Sequence, residues 1–272
     1  MNTELIIKEH SLTVPYLTEK RRIRVLLPDG YDLDGRTTYP VVYFHDGQNV
    51  FFDDESYSGV SWGIIPTIRE NKDLPKMIVV AIDNDDEKRI NEYTPWKISK
   101  NPLPTEHLTG GKGYEYASFI MDTVKPFIDK TYLTRTDADS TAMIGSSLGG
   151  TITSFMGIQY KQQIGRLGIF SLANWIHEAE FNDYLNNNTI NPDQFIYIQV
   201  GAQEGDETDA QFIDGSMKQT YINISIDYAR NLILKGYPVE QLSLNIYADD
   251  KHTESAWARN LPKAMRFLTQ GW

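Results

Sequence analysis

Residues 141–150 read TAMIGSSLGG, and the reading of this stretch decides the fold. Thr141–Gly145 is an apolar run too short for a helix, and a helix is expected to begin just after it. Gly145-Ser146-Ser147-Leu148-Gly149 then fits G-x-S-x-G in a strand–turn–helix context. The central serine of such a turn is strained, and small flanking residues let strand and helix approach without a clash. This register selects Ser147 and leaves Ser146 as the variable position. Choosing Ser146 instead would put the glycines at the wrong offsets. Glycine- and serine-rich turns also occur as plain packing turns or phosphate loops, but no lysine stands at the P-loop position. The motif alone does not make Ser147 a nucleophile. A base, an acid and an oxyanion hole must accompany it in the right chain order.

Working outward, short apolar runs recur at 22–28 (RIRVLLP), 41–44 (VVYF), 77–82 (MIVVAI), 167–171 (LGIFS), 195–200 (FIYIQV) and 242–248 (LSLNIYA). Continuous rather than alternating hydrophobicity suits strands buried on both faces of a parallel sheet. Helical spacing appears between them: Phe119, Ile120, Val124, Phe127 and Ile128 within 114–130, where Pro126 should interrupt or kink the helix. It recurs at Tyr221, Ile224, Tyr228 and Leu232 within 217–234, and at Trp257, Leu261, Met265 and Leu268 within 255–268. Strands alternating with helices indicate an α/β sheet. The segment up to Tyr39 carries turn signals instead and reads as antiparallel edge strands. The 272 residues are therefore read as one domain, with 1–39 as N-terminal edge strands and 40–272 as the core that carries the chemistry.

Composition narrows the partners. A hydrophobic fraction of 40% is ample for one sizeable core. The net charge of −11 argues against nucleic acid and anionic membranes as partners. Cysteine is absent, which excludes disulfides and thiolate chemistry. No basic segment followed by an apolar run opens the chain, and no apolar stretch approaches membrane-spanning length, so a cytoplasmic location is expected. The Asn187-Asn188-Thr189 and Asn223-Ile224-Ser225 glycosylation patterns are then read as chance. Self-association into a homo-oligomer stays open.

A serine hydroxyl needs a base to take its proton. In sheets with this elbow the partners follow in the order serine, acid, histidine. Of the five histidines, only His177 and His252 come after Ser147. His252, in YADDKHTESAW between the last strand and last helix, is the expected base. His177 comes too early and reads as a surface or pocket-rim residue; His45 precedes the serine and reads as buried and structural. The acid should follow the penultimate strand, where FIYIQVGAQEGDE offers Glu204 and Asp206. Glu204, three residues past Gly201, is preferred, and Asp206 competes. Asp249 and Asp250 read as solvated loop charge. The oxyanion donors are expected from the backbone N–H of Leu148 and of Gln48, in the turn after VVYF.

YPVVYFHDGQNVFFDDES, VVAIDNDDEKRINEYTPW, GGKGYEYASFIMDTVKPFID and AMIGSSLGG together resemble the esterase branch of the α/β hydrolases. That branch includes feruloyl esterases, enterochelin esterase-like enzymes and the S-formylglutathione hydrolase group. The resemblance runs from about residue 20 to the C-terminus, with the motifs in order. It implies an α/β-hydrolase fold, with a mostly parallel central sheet, antiparallel N-terminal strands and helices on both faces. It also favours Glu204, because relatives carry their acid at the matching position of a Gly-x-x-acid turn. The chain departs from relatives in the long stretch between Glu204 and His252 and in SLANWIHEAEF, both of which shape a pocket.

DNDDEKRINEY, residues 83–93, has Lys88 where an EF-hand needs glycine, so no metal site is expected. Asn49, Trp62, Arg89, Tyr93 and Trp175 are candidate substrate contacts, whereas Trp257 reads as core under the last helix. The leading reading is a serine carboxylic-ester hydrolase, without cofactor, acting on a small soluble ester of short-acyl, acetyl-sugar or feruloyl type. Acyl transfer on the same residues and a non-catalytic sugar-binding relative are the alternatives.

Overall fold

A computed structural model describes residues 6–31, 35–98, 109–205 and 216–272. Its centre is one sheet of eight strands in the order β1-β2-β4-β3-β5-β6-β7-β8. The strands are β1 (Ile6–Thr13), β2 (Lys20–Leu27), β3 (Val41–Phe44), β4 (Ile78–Ile82), β5 (Thr141–Ser146), β6 (Arg166–Phe170), β7 (Phe195–Gly201) and β8 (Leu242–Tyr247). β1 and β2 run antiparallel, and β3 through β8 are parallel to one another. This is the mostly parallel α/β sheet that the apolar runs predict, with the antiparallel strands at one edge.

The continuous runs are explained by the two faces. In β3, Val41 and Tyr43 enter one core, while Val42 and Phe44 enter the other. The first core holds Tyr116, Ile128, Ile152, Phe155, Phe181 and Tyr228. They come from α3 (Gly113–Phe119), α4 (Lys125–Thr131), α5 (Leu148–Gln159), α6 (Glu178–Asn187) and α7 (Met217–Leu234), which follow the short α2 (Arg89–Tyr93). The second holds Ile64 and Ile65 of α1 (Ile64–Glu70) and Trp257, Leu261 and Met265 of α8 (Glu254–Leu268). β8 closes one edge and is only half-buried, with Leu244 and Ile246 exposed.

Pro126 acts differently from a simple break. Helix α3 continues into α4 through a π turn over Ile120–Val124, just before the proline. Proline has no N–H for the preceding turn and crowds its carbonyls, and a wider turn relieves both problems without stopping the helix.

Candidate active site

Parallel α/β sheets gather chemistry at the carboxyl ends of their strands. Among the described residues, the positive-φ positions not occupied by glycine are Asp46 (φ 52°), Ser147 (φ 58°) and Ser171 (φ 50°). They sit just past the ends of β3, β5 and β6, which are neighbours in the sheet. Backbone strain concentrated at adjacent strand ends marks a site that the surrounding fold over-determines.

Ser147 stands between β5 and α5 with ψ −124°, and its N–H donates to the Phe170 carbonyl at 2.9 Å. Ser146 is the last residue of β5 and is buried, whereas Ser147 is half-exposed. A Cβ at Gly145 would collide with the backbone of Gly149, so the strand and helix can meet only over a bare Cα. Leu148 is the first residue of α5, where a helix N–H has no partner within its own helix.

Glu204 lies three residues past β7 and is 0% exposed. Its Oε1 accepts the Gly201 N–H and the Ser171 hydroxyl, each at 2.6 Å. Its Oε2 is 3.1 Å from His252 Nδ1. The two loops are tied directly: Ala202 N–H donates to Tyr247 O at 2.8 Å and Gln203 N–H to Asp250 O at 2.9 Å. Gly201 is needed there, because a Cβ would strike the Asp250 carbonyl. The His252 ring packs between Tyr221 of α7, centroids 4.8 Å apart, and Trp257 of α8, 5.2 Å away and edge-on. The competing carboxylate, Asp206, lies outside the described residues.

At the end of β3, Gln48 is half-exposed, and its side-chain carbonyl accepts the Asn84 N–H at 3.0 Å. Asp46 anchors this turn. Its backbone N–H donates to Tyr93 Oη at 3.0 Å, and its carboxylate takes Arg89 Nε at 2.7 Å and Nη2 at 2.8 Å. Burial raises the Asp46 pKa, but Arg89 and the Asn84 amide outweigh that and hold it below the usual carboxylate value. A Cβ at Gly149 would come within 3.3 Å of Asp46 Oδ2, so this turn abuts the Ser147 elbow. His45 is buried beneath it, with Nδ1 2.9 Å from Tyr116 Oη and its pKa pulled down to about 4 by burial.

Several sequence expectations need correction. Trp62 is 2% exposed and packs on Phe170 and Trp257, so it supports the site from beneath rather than offering a stacking face. Tyr93 is fully buried and holds Asp46. Asn49 is buried, and its side-chain carbonyl accepts the Tyr57 N–H at 2.9 Å, which shapes the turn. Arg89 remains partly exposed but is committed to Asp46. Trp175 is half-buried, 6.5 Å from Tyr221. His177 is buried rather than at a surface or rim; it packs on Trp96 and its pKa is lowered to about 4 by burial. Asp250 is not solvated: it is buried and bound by Arg259 and Asn260, each at 2.5 Å. The 83–93 loop, whose acidic run reads from sequence as solvated, is held by ion pairs, Asp83 to Arg24 at 3.0 Å and Asp85 to Lys88 at 2.8 Å. Sequence reasoning did not find Ser171, which has no motif around it; its position at the end of the strand between β5 and β7 was the only available signal.

The strained Ser147 turn, the His252–Glu204 pair and the Asp46 turn stand at one end of one sheet. The chain matches the family described as "Putative esterase" over residues 15–268. It belongs to this esterase family. The esterase is 26% identical over 251 residues to the uncharacterized protein YbbA of Bacillus subtilis, covering 91% of this chain and 92% of that one. An IroE-like serine hydrolase from Shewanella oneidensis superposes with TM-score 0.76 at 18% identity, covering 98% of the esterase and 80% of its own chain. The CE1 ferulic acid esterase of Anaeromyces mucronatus gives TM-score 0.62 at 19% identity, over 97% and 89%. These structural likenesses agree on the α/β-hydrolase fold. Among the described residues, no helix is long and apolar enough to cross a membrane.

Proposed function

We propose that the esterase is a serine carboxylic-ester hydrolase working through an acyl-enzyme, with Ser147 as nucleophile, His252 as base and Glu204 as the orienting acid. His252 Nε2 takes the hydroxyl proton as Ser147 Oγ attacks the ester carbonyl. The oxyanion receives the N–H groups of Leu148 and Gln48. Collapse expels the alcohol, which takes its proton from His252. Water then attacks the acyl-serine by the same route, with His252 again as base, and releases the acid. Glu204 accepts the Nδ1–H, which keeps the Nε2 lone pair available and stabilises the imidazolium.

The observation that carries this reading is the 3.1 Å contact between His252 and the buried Glu204, tied through Ser171 and Phe170 to the strained Ser147 turn. The substrate class proposed is a small soluble ester of short-acyl, acetyl-sugar or feruloyl type, and the ferulic acid esterase among the structural neighbours supports including the last. An alkyl fluorophosphonate should label the protein once, and peptide mass spectrometry should place the adduct on Ser147. Labelling of Ser146, or none with hydrolysis of p-nitrophenyl acetate intact, would refute the assignment.

A further inference from the structure

Ser171 and Trp257 form a buried relay behind Glu204. Trp257 Nε1 donates to Ser171 Oγ at 2.8 Å, and Ser171 Oγ lies 2.6 Å from Glu204 Oε1. Ser171 is 0% exposed, Trp257 4% and Glu204 0%. The direction of this chain is set by chemistry. An indole nitrogen can only donate, so the serine oxygen must accept from it, and the single hydroxyl proton points at the carboxylate. Oε1 therefore receives two donors, the hydroxyl and the Gly201 N–H, which occupy both of its lone pairs. The carboxylate is held in one rotamer with Oε2 as its free acceptor, aimed at His252 Nδ1.

Two further observations single out the hydroxyl. Ser171 has φ 50°, where glycine would be relaxed and a side chain is strained, so this side chain is kept at an energetic cost. The strand end that bears it also positions the other half of the site. The Phe170 carbonyl takes the Ser147 N–H, and the next residue along takes Glu204. Trp257 in turn packs on Trp62, with centroids 5.7 Å apart, and edge-on to the His252 ring.

We infer that Ser171 and Trp257 are positioning residues of this esterase, which orient Glu204 and, through it, set the tautomer of His252. The inference rests on the proposed roles of Ser147, His252 and Glu204. Removing the hydroxyl frees the carboxylate to rotate and leaves the indole N–H without its acceptor. Second-sphere partners of this kind typically contribute on the order of ten- to a hundredfold, as known for metal-ligating histidines.

Ser171→Ala keeps the strained backbone and removes the oxygen, and Ser171→Gly removes the oxygen and the strain together. Both should lower kcat on p-nitrophenyl acetate by roughly ten- to a hundredfold with KM little changed. Trp257→Phe, which keeps a ring against His252, should lose less. The deciding measurement is a double-mutant cycle with Glu204→Gln: a residue acting through Glu204 should cost little once that carboxylate is gone. Equal losses of kcat in both backgrounds, wild-type kcat in both Ser171 variants, or an effect on KM alone would overturn the inference. Ser147→Ala and His252→Ala are measured alongside. If they are inactive while Ser171→Ala and Ser171→Gly turn over normally, the relay alone fails. If they remain active, the proposed function fails and the relay with it.

Discussion

His45 and His252 follow sheet strands at the same end of the molecule, and both touch a tyrosine, yet they are opposite kinds of histidine. His45 is 2% exposed and its Nδ1 faces the phenol of Tyr116. Nothing there compensates a positive imidazolium well enough to offset burial, and its pKa falls to about 4. The His252 side chain is 20% exposed and its Nδ1 faces a fully buried carboxylate. A phenol fixes a neutral ring in place, whereas a carboxylate also stabilises the ring when it becomes charged. Proton shuttling needs the second arrangement, so the partner on Nδ1 separates a structural histidine from the proposed base.

An essential His45 beside a dispensable His252 would erase the difference between the two rings. Ser147→Ala or His252→Ala should lower kcat by several orders of magnitude, up to about 10⁶ as for removal of a protease nucleophile or base. Ser146→Ala and His177→Ala should retain much of the activity, and His45→Gln should leave the chemical step operating. In the wild-type protein, turnover should fall as acid protonates the base. Initial rates on p-nitrophenyl acetate across pH 5–9 would test all of these, and a fully active His252→Ala would show that a carboxylate on Nδ1 does not mark the base.

Glu204→Gln sharpens the role of the Nδ1 partner. The amide keeps the size but can stabilise the wrong tautomer, and the corresponding serine-protease change costs about 10⁴ in kcat. A loss of that order, with an unchanged circular dichroism spectrum, is expected, and Asp206→Asn should lose little. A larger loss in the Asp206 variant would move the acid two residues along the chain.

The smallest effect concerns stability. His45 and His177 are buried neutral, each with its pKa lowered to about 4 by burial. The unfolded chain protonates both near the ordinary value of about 6.5, so it binds more protons than the fold between these limits. The stability of each neutral histidine is complete above about pH 6.5 and declines toward pH 4, by roughly 3 kcal/mol per group. His177→Leu should remove its own share of that decline, measured as the difference in urea unfolding free energy between pH 7 and pH 4.5. An unchanged difference would show that His177 does not titrate on unfolding.

Much of this was legible in one dimension. The apolar runs at 41–44, 77–82 and 195–200 mark strands because residues on both faces are covered, and the structure has strands there. The Gly145–Gly149 spacing was legible because glycine there answers a local steric demand. Glu204 could be named as a candidate acid from its distance past Gly201, and its carboxylate lies 3.1 Å from His252 Nδ1. The burial of Trp62, Tyr93 and His177 was not legible, because a polar or aromatic side chain after a strand reads equally as pocket lining or as core. Nor was that of Asp250, whose partners Arg259 and Asn260 lie on the following helix.

The sequence by itself determined the alternation of strands and helices, the strained serine turn and the chain order of serine, acid and histidine. These depend on spacing, local sterics and hydrophobic period, which act between near neighbours. Only the tertiary structure decided which histidine has a carboxylate on Nδ1, which aromatics are core, and that Ser171 and Trp257 stand behind Glu204. Those contacts join residues 33 to 86 positions apart, brought together by strand order and packing, and no local pattern encodes them.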